Sequence, residues 1–175
     1  MSVLFVDESK AKGYTLAAAV VVPGEMESAR RNVRGLVLPG QRRIHFTKEQ
    51  DARKRLILSR LIEFGFQAHV FHSSSKHASV GREETLGALI AHAVEHGHRR
   101  VVLERDDSIA QADRRFLFHE VQRHGLTGTL TYELEPPHLE PLLWVADAVA
   151  WSYSKGGEWK RRIEPLVAGI TRLPA

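Results

Sequence analysis

The stretch Val3-Leu4-Phe5-Val6-Asp7-Glu8-Ser9-Lys10-Ala11-Lys12-Gly13-Tyr14-Thr15-Leu16-Ala17-Ala18-Ala19-Val20-Val21-Val22 decides how this chain folds. Ser2 to Val6 is a short apolar run that reads as a buried strand ending in the acids Asp7 and Glu8. Lys10 to Gly13 is turn-like, and Tyr14 to Val22 is a second strand, rich in Val and stopped by Pro23-Gly24. So short a connection joins only antiparallel neighbours, so the two strands form a hairpin.

Beyond the hairpin the pattern changes. Glu25 to Leu36 spaces Met26, Ala29 and Val33 as a short amphipathic helix, and Arg43 to Phe46 reads as a brief third strand. Thr47, followed three residues later by Gln50, has the form of a capping box. The helix it opens is expected to turn Leu56, Leu58, Leu61, Ile62 and Phe64 inward, with Arg53, Lys54, Arg55 and Arg60 outward. Phe66 to Phe71, Arg99 to Leu103 and Thr127 to Leu134 read as strands. They alternate with helices over Glu83 to His96, Ile109 to His124 and His138 to Tyr153. Antiparallel strands followed by helix-separated strands predict an α/β fold, a mixed sheet flanked by helices. Residues 1–155 are expected to form the domain, and residues 156–175 a short basic C-terminal tail helix packed on it or trailing it.

Composition narrows the function. The chain has 175 residues, 43% of them hydrophobic and 26% charged, which suits one domain with a sizeable core. No apolar run approaches the roughly 20 residues of a spanning helix, and Asp7-Glu8 interrupts the first hydrophobic stretch. The expectation is therefore a cytoplasmic protein without a secretory signal or membrane segment. Cysteine is absent, which removes disulfides, thiol catalysis and thiolate-held zinc. Any metal would be held by oxygen or imidazole, and oxygen donors favour Mg²⁺ or Mn²⁺. The formal charge of +4 is compatible with a nucleic-acid partner and is weak evidence for one.

Acids recur where a sheet would gather them. Asp7 and Glu8 follow the first strand, and Glu104, Asp106 and Asp107 follow a later one. Asp147 stands alone in the apolar segment Trp144 to Trp151. Ligands of such sheets bind beyond the carboxyl ends of strands. An isolated carboxylate on an apolar helix is costly to bury unless it is paired, protonated or bound to a cation. Taken singly, Asp7 reads as an ordinary turn acid and Asp147 equally as a structural partner for an arginine or a backbone cap. Gathered together, such carboxylates repel one another unless a divalent ion neutralises them.

Three motifs carry a resemblance: Val6-Asp7-Glu8-Ser9 after a strand, Ile44-His45-Phe46 before a helix, and Leu143-Trp144-Val145-Ala146-Asp147 in a late helix. In these the chain, from Val3 to Tyr153, resembles the DUF3800 family of the ribonuclease H-like superfamily. The resemblance implies an antiparallel start to the sheet followed by parallel strands and helices. It also implies a divalent-metal site of Asp7, Glu104 or Asp106, and Asp147, with Glu8 and His45 nearby. On that reading the protein is a Mg²⁺- or Mn²⁺-dependent nuclease acting on DNA or RNA, with Asp7 bridging two ions and His45 shuttling a proton. Arg42, Arg43, Arg53, Lys54 and Arg60 are candidates to hold the phosphate backbone, or else form a solvated helix face. Two positions depart from the family pattern: Lys10 where Gly is common, and Trp144 where Gln is common.

Other readings compete. His92-Ala93-Val94-Glu95-His96 matches the inverted zinc-peptidase pattern, without a clear third ligand downstream. A non-catalytic binding or assembly module is the main alternative. In that case part of the apolar last helix, with Leu142, Trp144, Trp151 and Tyr153, would form a homodimer or partner interface.

Overall fold

Period-two alternation along the first strand assigns its side chains to two different cores. In the computed structural model, which describes residues 1–174, β1 (Val3–Ser9) and β2 (Tyr14–Val21) form the expected antiparallel hairpin, Val3 opposite Val21. Gly13 makes the turn at φ 71, where a Cβ would run into the Ser73 carbonyl oxygen. Six strands make one sheet in the order β5-β4-β1-β2-β3-β6. β3 (Gln67–Ser73) is antiparallel to β2, while β4 (Arg100–Glu104) and β5 (Thr131–Glu135) run parallel to β1. This is the expected α/β mixed sheet with an antiparallel start, consistent with a ribonuclease H-like fold.

Val3 and Phe5 face one layer of helices: α1 (Met26–Arg34), α2 (Asp51–Glu63), α5 (Leu142–Lys155) and α6 (Gly157–Arg162). Leu4 and Val6 face the other, α3 (Ala78–His96) and α4 (Ala110–Arg123). Eleven of the fourteen residues of α5 are buried within this chain. The apolar residues of that helix therefore pack largely against the sheet, chiefly β1 and β2, and against neighbouring helices.

Several local expectations are corrected. Arg43 to Phe46 is not a strand, because β3 occupies the place beside β2 and Phe46 to Lys48 winds into a single 3-10 turn. Thr47 lies in that turn and caps nothing, and α2 begins at Asp51 after Gln50. In α2 the buried face holds Ile57, Leu58 and Leu61, so Leu56 lies outward, 44% exposed, while Lys54 is buried, 6% exposed, with its ammonium 4.4 Å from the centre of the Trp151 ring. The tail is more than a helix. After α6 it forms β6 (Val167–Leu173), which extends the sheet parallel to β3. Half-buried and exposed residues alternate along β6, but Ala168 and Ile170 are exposed while Gly169 and Thr171 are half-buried, so no polar–apolar alternation announces a strand. Among the described residues, no helix is long and apolar enough to cross a membrane.

Candidate active site

The same alternation brings three acids together. Asp7 lies on the α5 side of β1 with Val3 and Phe5, and Glu104 lies on the α5 side of β4 with Val102. Asp147, on α5, meets them from above. Its Oδ2 accepts the backbone N–H of Phe46 at 2.9 Å and so pins the Ile44-His45-Phe46 segment over the sheet edge. The result is a cleft of about 500 Å³ at the C-terminal ends of β1 and β4. Asp7, Glu8, His45, Glu104, Asp106 and Asp147 all line it, with Arg43 and Trp151 beside them.

The carboxylates are not equivalent. Asp7 is 5% exposed and has no cationic partner within salt-bridge range among the described residues. Burial pushes its pKa well up, and the neighbouring Asp147, Glu104 and Glu8 push it further. Burial also raises Asp147, to about 6, against the opposing pull of the Phe46 N–H and of Arg43. Arg43 stands 3.8 Å from Glu104 and 4.0 Å from Asp147, a loose contact for so dense a cluster of negative charge. Glu8 points to the opposite face, as alternation requires, where Arg82 stands 3.5 Å from it. Asp106 spends Oδ1 on the N–H and hydroxyl of Ser108, at 3.0 and 2.6 Å, which holds its pKa down. Of the two alternatives after β4, Glu104 therefore faces Asp7, and Asp106 closes a turn at the rim.

His45 sits at the cleft with its Nδ1 buried and without a hydrogen-bond partner. Burial lowers its pKa, and Arg43 and Lys48 lower it further, so the ring is neutral at pH 7. The basic set divides. Arg43 belongs to the cleft and Arg42 is exposed nearby. Arg53 is tied to the Leu36 carbonyl at 2.7 Å, and Arg60 pairs with Glu63 at 3.0 Å. Lys54 is packed against aromatic rings and is withdrawn as a phosphate contact. Trp151 was not among the expected site residues. Its position four residues after Asp147 on one helix face was the available signal.

His92 and His96 stack with ring centres 4.0 Å apart, and His69 and His98 lie close by. His96 Nδ1 is engaged with the His92 carbonyl oxygen at 2.9 Å, and none of these histidines lines the acidic cleft. Neither this cluster nor the acids, as they stand, place three or more side chains in a ready metal-binding group among the described residues. The donor chemistry of the cleft nonetheless fits a hard cation. Asp7, Glu104 and Asp147 bring carboxylate oxygens to it, and burial, with the neighbouring acids, raises the pKa of Asp7 and Asp147. No family model matches the chain, and no curated protein matches it.

Proposed function

We propose that the protein is a divalent-metal-dependent nuclease that hydrolyses phosphodiester bonds of DNA or RNA. One observation carries this reading: Asp7, Glu104 and Asp147, from three separate elements, line one cleft with two of their pKa values raised. The DUF3800 resemblance points the same way through its motifs at Asp7, His45 and Asp147. Asp7, Glu104 and Asp147 would hold Mg²⁺ or Mn²⁺, with Asp106 at the rim. When bound, such a cation activates water and stabilises charge on the leaving oxygen.

The remaining work falls to the chain. The neutral His45 takes the proton that the attacking water releases as its oxygen bonds to phosphorus and the ester bond breaks. Arg43, between the acids and the cleft mouth, offsets the phosphate charge and holds the strand in line. Lys10 and Arg105, also at the cleft, add positive charge to its rim.

Calorimetry of Mn²⁺ binding to wild type and Asp147→Asn tests the proposal, followed by cleavage assays on RNA and DNA. Binding that the substitution abolishes, with Mn²⁺-dependent cleavage lost in Asp7→Ala, is the expected result. No cleavage of either nucleic acid by wild type with Mn²⁺ present would overturn it. The lack of a ready three-ligand group favours, as second reading, a non-catalytic ribonuclease H-like binding or assembly module. In that case Asp7→Ala changes no activity, and Mn²⁺ leaves the melting temperature unmoved.

A further inference from the structure

On the same edge of the sheet, beyond the hairpin turn, lies a second cavity of about 370 Å³ with the opposite chemistry. Lys12 of the β1–β2 turn, His72 at the end of β3, Lys160 of α6 and Arg172 of β6 line it, together with Tyr153 and Ser154 of α5. No carboxylate lines it. Among the described residues, Lys12, Lys160 and Arg172 make no salt bridge. The Ser154 side chain is 5% exposed, and its Oγ is buried without a hydrogen-bond partner. A buried hydroxyl is costly to leave unmatched, and this one belongs to a residue that lines a cavity bordered by cations.

We infer that this cavity is an oxyanion pocket that takes a phosphate monoester dianion, with Lys12, Lys160 and Arg172 supplying charge and Ser154 Oγ a hydrogen bond. Three cations without a carboxylate suit a dianion better than the single charge of an internal phosphodiester. The occupant is then inorganic phosphate or the phosphorylated end of a nucleotide strand. His72 reports on it. Its Nδ1 is engaged with the Thr15 hydroxyl at 2.9 Å, and Tyr153 packs beside the ring. Burial lowers its pKa, as do Lys160 and Arg172, so an anion between these groups must raise it. The pocket stands apart from the nuclease reading, because none of its residues lines the acidic cleft.

The test is a titration of wild type with inorganic phosphate at constant ionic strength, following the His72 ring by NMR, with His72→Gln to assign the signal. We expect saturable binding with Kd about 1 mM or tighter, and a His72 pKa raised by about one unit. Lys160→Gln with Arg172→Gln keeps the exposed stems and should weaken binding about tenfold or more, and Ser154→Ala by less. A 5′-phosphorylated oligonucleotide that binds more tightly than its 5′-hydroxyl twin, the gain vanishing in the double variant, assigns a strand end. Equal binding of the twins with phosphate still bound assigns the free ion. A His72 signal that phosphate does not move, or a response undiminished in the folded double variant, overturns the inference. Asp7→Asn should bind phosphate as wild type does, whatever becomes of cleavage.

Discussion

The two faces of the sheet both bury acids around β1, and they neutralise them differently. On the α3 side, Asp113, 3% exposed, receives two hydrogen bonds of 2.7 Å from Arg82, whose guanidinium also reaches Glu8 and the Tyr14 hydroxyl. On the α5 side, Asp7 is buried about as deeply, accepts the Glu8 backbone N–H at 2.7 Å and otherwise faces carboxylates, while Arg43 reaches Glu104 and Asp147 instead. A buried acid with its own fork of donors is accounted for by folding. A buried acid facing acids is a cost that folding leaves in place, and that contrast separates the functional candidate from the structural ion pair.

Removing one partner from each face should break the symmetry in opposite directions. Arg82→Ala strands Asp113 and Glu8 and should cost about 3–5 kcal/mol in urea unfolding at pH 7. Asp7→Asn removes an uncompensated charge and should leave stability unchanged, or raise it by about 1 kcal/mol, while abolishing the Mn²⁺-dependent rise in melting temperature. A large loss of stability in Asp7→Asn would mean that its carboxylate has a structural partner after all.

Between these extremes lies Gly81, which seats α3 on the hairpin next to Arg82. A Cβ there would stand 2.6 Å from the Tyr14 Cβ, so Gly81→Ala should cost about 1–3 kcal/mol by pushing the helix off the Arg82 network. Lys54→Ala should lose about 1 kcal/mol of cation–π and packing energy and leave nucleic-acid affinity as it is. A drop in affinity without a drop in stability would return Lys54 to the binding surface.

The smallest effect is a pH dependence with two opposed parts. Asp147 has its folded pKa raised from the ordinary 3.8 to about 6. Its contribution to stability is complete below pH 3.8 and is lost as pH rises through 6. His92 runs the other way: burial first, then His69, His96 and His98, lower it from 6.5 to about 4. Its contribution is complete above pH 6.5 and is lost as pH falls toward 4. Wild type should therefore show a shallow profile between pH 4 and 6.5, and Asp147→Asn a steeper fall on acidification. Parallel profiles in chemical denaturation would show that Asp147 is not strained at neutral pH.

What was legible in the sequence followed the strength of local patterning. The Val3 to Val22 hairpin could be read because apolar runs, turn and breaker agree, and Asp147 because a lone acid among apolar residues contradicts its setting. Arg43 to Phe46 was misread as a strand because four residues cannot distinguish an extended loop pinned by Asp147 from a ladder. Choosing Glu104 over Asp106 needed the register of β4, in which one residue exchanges the faces. Lys54 looked exposed because the Trp151 ring it packs on lies far along the sequence, and the cation-lined pocket draws on the turn, β3, α5, α6 and β6 at once. No local window contains it.

The pairing of β1 with β4 has a consequence for how the chain reaches this state. Val3 bonds beside Arg100, and Asp147 closes over Asp7 from still later in the chain. Contacts of such long sequence separation demand loop closure before they return any energy, so they form late and slowly. The hairpin can assemble early, but it carries Asp7 and Glu8 without Glu104 or Asp147. No form of the chain in which α5 is undocked can therefore hold the acid set, and whatever that set does begins only when α5 closes over the sheet.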